Sequence, residues 1–123
     1  SPVHIYRLPF PQSTNSDIKA EYIGDLPITP KGSYQSLNWV SAGDISRDGR
    51  YVLIKTYNDI YLIKKKSNMG LSSILNTHQT SLEYISEPQG EALCWRWDQK
   101  GYYTISEKKK DIPVHLYYYQ FSE

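Results

Sequence analysis

The chain has 123 residues and a mass of 14.3 kDa, with 14 Lys and Arg against 13 Asp and Glu, so its net charge of +1 gives no bias toward polyanions. One cysteine, Cys94, excludes an internal disulfide framework, and no apolar run approaches the ~18 residues of a membrane span. Twelve of the 17 aromatic residues are Tyr, which places aromatic area where a hydroxyl still reaches water or a partner.

In chain order, the sequence reads as short strands separated by turns. Pro2-Val3-His4-Ile5-Tyr6 is strand-like, and Pro9–Asp17 is a turn-rich connector. Ala20-Glu21-Tyr22-Ile23 is a second strand. A four-part unit follows: Ala42–Ser46, a tight turn at Asp48-Gly49, the strand Tyr51–Tyr57, the segment Asp59-Ile60-Tyr61-Leu62, and Leu82-Glu83-Tyr84-Ile85. Gly70–Leu75 carries no sustained helical period and reads as loop. The same order begins again with Glu91–Trp95, the turn Asp98–Gly101, which reads as two residues longer than its counterpart, the strand Tyr102–Ser106 and Pro113-Val114-His115-Leu116-Tyr117. Val52-Leu53-Ile54 is apolar on successive residues, the mark of a strand covered on both faces.

These segments repeat. Ile5-Tyr6, Ile60-Tyr61 and Leu116-Tyr117 fall at steps of 55 and 56 residues. Four antiparallel strands per ~50 residues is the signature of a β-propeller blade. The expected fold is therefore all-β: about two four-stranded antiparallel blades of a propeller, incomplete without further blades. Residues 1–30 would end one blade, 40–86 would form a complete one, and 88–121 most of a third. The alternative is a β-sandwich. With no initiator Met, and with a strand-like run at Tyr117–Phe121, the chain is expected to be a portion of something longer.

The stretch Gly43-Asp44-Ile45-Ser46-Arg47-Asp48-Gly49-Arg50-Tyr51-Val52 resembles the S-P-D-G repeat of Tol-associated and WD-like propellers, with Arg47 in place of the Pro. Together with Gly90–Leu93 and Thr104–Glu107 it is similar to the C-terminal portion of secreted propeller proteins. The resemblance implies a fold and an extracellular setting, with the other blades supplied by a cleaved companion chain or by identical copies. It implies no activity, because propellers host many.

Two chemistries fit particular residues. Asp44 and Glu91 sit on inner strands of adjacent units, where converging carboxylates suit Ca²⁺. Pro88–Ala92 is similar to the acidic segments of propeller phytases, with Gln89 where one acid is expected, so a Ca²⁺-dependent phytase- or lactonase-like hydrolase is one reading. The bland reading of Asp44 is a hydrogen bond to a neighbouring turn, and of Glu91 a solvated carboxylate. Trp39, Trp95 and Trp97 would suit a sugar-stacking lectin, Trp95 and Trp97 sharing a strand face by period two; core packing explains them equally well. Cys94 reads as a buried, inert thiol, and His4 and His115 as structural members of one repeat position. The runs Lys64–Lys66 and Lys108–Lys110 read as solvated edge protection, and His78 lies in a polar loop. The leading expectation is an extracellular binding module for a protein, glycan or small molecule.

Overall fold

A computed structural model describes residues 2–26, 28, 38–66 and 68–123. Among them lie nine strands: β1 (Val3–Arg7), β2 (Glu21–Leu26), β3 (Val40–Ile45), β4 (Tyr51–Thr56), β5 (Ile60–Lys64), β6 (Gln79–Leu82), β7 (Gly90–Trp95), β8 (Gly101–Ser106) and β9 (Leu116–Gln120). They form three antiparallel sheets in chain order, of two, four and three strands, and each strand pairs with its neighbour in sequence. The protein is all-β, and among the described residues a short 3-10 helix, Leu71–Asn76, occupies the stretch expected to be loop.

Strand β4 explains the stacking. Tyr51 and Leu53 join Ile60 and Leu62 of β5 in a core that meets Trp95, Tyr102 and Tyr119 of the third sheet. Val52, with Tyr61 and Ile63, joins Leu26, Ile28 and Ile74 in a second core facing the first sheet. Side chains alternate faces along a strand, so a run apolar at every position supplies two cores.

The first two strands of the third sheet repeat those of the second at a constant offset. Ile45 pairs with Val52, and Trp95 pairs with Tyr102, so β3–β4 maps onto β7–β8. Both inner strands carry a bulge near their start, at Ser41 and at Glu91. The turns correspond residue for residue, which corrects the expected longer second turn: Gly49 N–H donates to Ser46 O and Gln99 N–H to Arg96 O, at 2.8 and 2.9 Å. Gly49 and Gln99 both take the left-handed conformation, with φ of 70° and 61°. Asp98 accepts from Lys100 N–H as Asp48 does from Arg50 N–H. The Arg50 backbone N–H, the Ser46 hydroxyl and the Arg50 guanidinium hold the Asp48 carboxyl well below the usual carboxylate range.

Nothing approaches a Cβ placed on Gly49, so its substitution isolates the backbone term. Gly49→Ala should cost about 1 kcal/mol in urea unfolding, and Gly49→Asn less, because Asn tolerates the left-handed region. Equal stability of all three proteins would remove the glycine requirement. Gln99 bears the same conformation but returns a bond, its Oε1 accepting from Asp48 N–H at 2.9 Å and tying the two turns together.

The last strand of the four-stranded sheet lies earlier than expected. β6 pairs through Ile60–Leu82 to Ile63–Gln79, so Glu83, Tyr84 and Ile85 leave the sheet. They turn toward the third sheet instead: Tyr102 Oη donates to Glu83 O at 2.5 Å, and Ile85 N–H donates to Tyr119 Oη at 2.9 Å.

Candidate functional site

The second and third sheets meet along β3 and β7. Ser41 Oγ donates to Gly90 O at 3.0 Å near the start of both strands, and Trp95 N–H donates to Asp44 Oδ2 at 2.7 Å near their ends. The bulge at Glu91 disrupts regular pairing at the first of these ends. There Lys55 of β4 is completely buried. Its Nζ donates to Thr56 O at 3.0 Å within its own sheet and to Gly90 O across the junction. It also lies 4.6 Å from the ring centre of Tyr84, a cation–π contact.

Lys55 lies in this core because β4 alternates: it follows Tyr51 and Leu53 on the face toward the third sheet. Burial pushes the Lys55 ammonium down to about 8, against the pull of Glu87 and Glu91. Burial likewise pushes the Tyr84 phenol up to about 12. Gly90 leaves no room for a side chain, since a Cβ there would meet Tyr84 Oη and Lys55 Nζ. At the rim, Tyr57 Oη donates to Glu91 Oε1 at 2.6 Å, and that bond raises the Tyr57 phenol.

Glu87 completes the cluster. It is buried, at 7% exposure, and its backbone N–H donates to Tyr84 Oη at 3.3 Å. Both carboxylate oxygens are buried without a hydrogen-bond partner. Lys55 does not serve them, its ammonium being held by two carbonyls. Beside Glu87 lies a cavity of about 210 Å³ formed by the β6–β7 and β8–β9 connections.

The residues expected from sequence are distributed differently. Asp44 uses one oxygen for Ile45 N–H and the other for Trp95 N–H, so it fastens the neighbouring sheet. Its counterpart in the third sheet is Cys94, not Glu91, because Gly43 pairs with Ile54 as Leu93 does with Thr104. Glu91 matches Ser41, three residues away along the strand, or roughly 10 Å. Asp44 and Glu91 are therefore not brought to one ion. Among the described residues, no group of three or more His, Cys, Asp or Glu side chains gathers where a metal could be held.

The tryptophans also separate. Trp95 is buried in the core, with Phe121 at 5.2 Å and Tyr102 at 6.3 Å, both edge-on. Trp97 does not share its strand face: β7 ends at Trp95, and Trp97 lies in the turn, exposed, beneath the Arg47 guanidinium at 3.9 Å. Trp39 is exposed just before β3, at the other end of the junction. The three form no common sugar platform.

Cys94 is exposed rather than buried, because it points from β7 to the outer face, opposite Trp95. His4 Nδ1 lies 2.5 Å from Asp25 Oδ1 across the first sheet, whereas His115 precedes β9 and packs edge-on against Tyr117 at 6.0 Å.

Lys55, Tyr84 and Glu87 were not singled out from sequence. One signal was present: Lys55 stands at an inward position of a strand otherwise covered on both faces. Compared with family models, curated proteins and solved structures, the chain matches none. Among the described residues, no helix is long and apolar enough to cross a membrane.

Proposed function

We propose that this chain is part of a β-propeller that serves as an extracellular binding module, its remaining blades supplied by other chains or by copies of itself. The observation that carries this reading is the outer face of the third sheet. Thr104 pairs with Tyr117 as Ile54 pairs with Tyr61, so Leu116 and Tyr118 are the counterparts of Ile60 and Leu62. Ile60 and Leu62 are buried at 0% and 5% exposure, whereas Leu116 and Tyr118 are exposed at 65% and 43%. Ile105, Ala92 and Cys94 extend the same uncovered face. A face that packs in one repeat and lies bare in the next supports the addition of another sheet, because contiguous exposed apolar patches mark interaction surfaces. The extracellular setting follows the resemblance to secreted propellers.

Native mass spectrometry tests the reading. Assemblies larger than one 14.3 kDa chain are expected, and Leu116→Lys should dissociate them with the fold retained by circular dichroism. A cooperatively folded monomer at micromolar concentration, with no affinity for apolar dyes, would overturn it.

A further inference from the structure

The first sheet covers the second only in part. Gly43 and Ile45 of β3 and Val52 and Ile54 of β4 share the face of the second sheet that looks toward the first, since Gly43 pairs with Ile54 and Ile45 with Val52. Their counterparts in the third sheet are Leu93, Trp95, Tyr102 and Thr104. The second sheet packs over those counterparts, and Trp95 and Thr104 are sealed at 8% and 1% exposure. Ile45, by contrast, is 45% exposed, and Ile54 is half-buried. A cavity of about 380 Å³ lies over Gly43, Ile45, Val52 and Ile54. Of the first sheet it touches Ile5 of β1 and no residue of β2, so it borders that sheet on the side of β1 away from β2. This edge of β1 is open. Among the described residues no strand pairs with it, whereas β5 and β9, which carry the same aliphatic–Tyr pair, are flanked there by β4 and β8. Asp44, which also lines the cavity, has both carboxylate oxygens engaged by Ile45 N–H and Trp95 N–H, so the lining offers chiefly apolar surface.

We propose that a companion protein chain adds an extended segment to the free edge of β1 as an antiparallel strand, its apolar side chains entering the cavity over β3 and β4. An open edge is a template for pairing: its backbone groups supply affinity, and pockets for alternate side chains supply specificity. Antiparallel pairing follows the repeat, since β4 and β8 run antiparallel to β5 and β9. Val3 and Ile5 face the second sheet, and residues directly opposite them share that face, so these two positions of the incoming strand are apolar. At about 380 Å³ the cavity is more than twice the roughly 150 Å³ that admits a benzene ring, which is room for two such side chains. A second copy of this chain fits less well: its open strand β9 carries β8 and β7 with it, three strands for a gap that lies over two. The site is at the opposite end of the stack from the bare face of the third sheet, and it does not depend on that face being covered.

The probe is the acetylated and amidated peptide Arg50–Tyr57, which copies β4, the strand that flanks β5 at this position. Titrated into the intact chain, it should shift the backbone amide resonances of Val3–Arg7 and the methyl resonances of Ile45 and Ile54, and leave the amides of Leu116–Gln120 in place. The same peptide with Leu53→Asn should bind about tenfold more weakly, the effect of withdrawing one aliphatic side chain from an apolar cavity. Ile45→Lys in the chain should weaken binding likewise, and the partial exposure of Ile45 lets that variant fold. N-methylation of alternate peptide amides separates edge pairing from hydrophobic adhesion: one of the two alternate sets should abolish binding, and the other should not. Shifts confined to the third sheet, equal binding of the Leu53→Asn peptide, or indifference to both methylated sets would overturn the proposal. Contacts between β1 and β9 of two copies in the peptide-free protein would overturn it as well. If Ile45→Lys does not fold, the peptides on the wild-type chain decide alone. Peptide binding is read at β1 and assembly by native mass, so either reading can fail without the other.

Discussion

Trp95→Ala should cost about 3–5 kcal/mol of folding stability, whereas Trp97→Ala, two residues away, should cost less than about 1 kcal/mol. Trp95 is where the second and third sheets are joined. Its ring meets Tyr51 of β4 at 6.0 Å, Tyr102 of β8 at 6.3 Å and Phe121 after β9 at 5.2 Å. Truncation to a methyl group removes the large apolar area of an aromatic ring and leaves a void between elements that cannot collapse independently. Total stability of a domain this size is about 5–15 kcal/mol, so the loss is a large share of it. Trp97 has its ring in water apart from one Arg47 contact, whose worth at an exposed site is about 0.5–1 kcal/mol. Trp95→Phe should be mild, because the Trp95 Nε1 hydrogen is buried without an acceptor and its removal offsets part of the lost area. Urea titrations of the three variants measure this directly. Similar midpoints for Trp95→Ala and Trp97→Ala would show that the sheets are not held together at this ring.

The contrast between these tryptophans shows what was legible in the sequence. Strand β4 announced itself through Val52-Leu53-Ile54, since only a strand with two covered faces tolerates such a run. The Asp48-Gly49 turn was equally plain, because its glycine is required by a left-handed backbone. Its partner turn was obscured: Gln99 takes that conformation without being glycine, so the alignment slipped to Gly101 and lengthened the loop. Asp44 and Glu91 were grouped only because both lie on inner strands of adjacent units, when pairing matches Asp44 with Cys94. A one-residue change of register exchanges the two faces of a strand, so inferences about which side chains converge are the first to fail. Glu83–Ile85 repeats the residues of Glu21–Ile23 in β2, yet it leaves its sheet because Tyr102 and Tyr119 offer partners across the junction. Hydrogen bonds between distant segments leave no local trace in sequence. The cluster of Lys55, Tyr84 and Glu87 is of that kind: three residues from a strand and a connection, assembled only when two sheets meet.

Lys55 makes that junction sensitive to pH. Its ammonium titrates near 8 in the folded protein, against 10.5 when exposed, chiefly because burial disfavours the charge. Above pH 10.5 both folded and unfolded states hold a neutral amine, and Lys55 contributes no pH dependence. As the pH falls from 10.5 toward 8, the unfolded chain takes up the proton first, and stability falls. Below pH 8 both states are charged, and the deficit is constant. Stability should therefore rise by about 2 kcal/mol between neutral pH and pH 10, the two carbonyls and the Tyr84 face tempering the full linkage. Beyond pH 10 the trend should reverse, since burial raises the Tyr84 and Tyr102 phenols and ionisation then favours the unfolded chain. Lys55→Met keeps most of the side-chain volume without the titrating group, so its stability should be flat between pH 8 and 10. Lys55→Ala should lose about 3–5 kcal/mol at pH 7, because it opens a void, removes one donor from each of Thr56 O and Gly90 O, and leaves Glu87 without its neighbouring positive charge. Denaturant midpoints of the three proteins at half-unit pH steps separate the terms. Parallel wild-type and Lys55→Met curves across pH 8–10 would show that the Lys55 ammonium is charged in the folded protein throughout, and that the junction does not strip it of water.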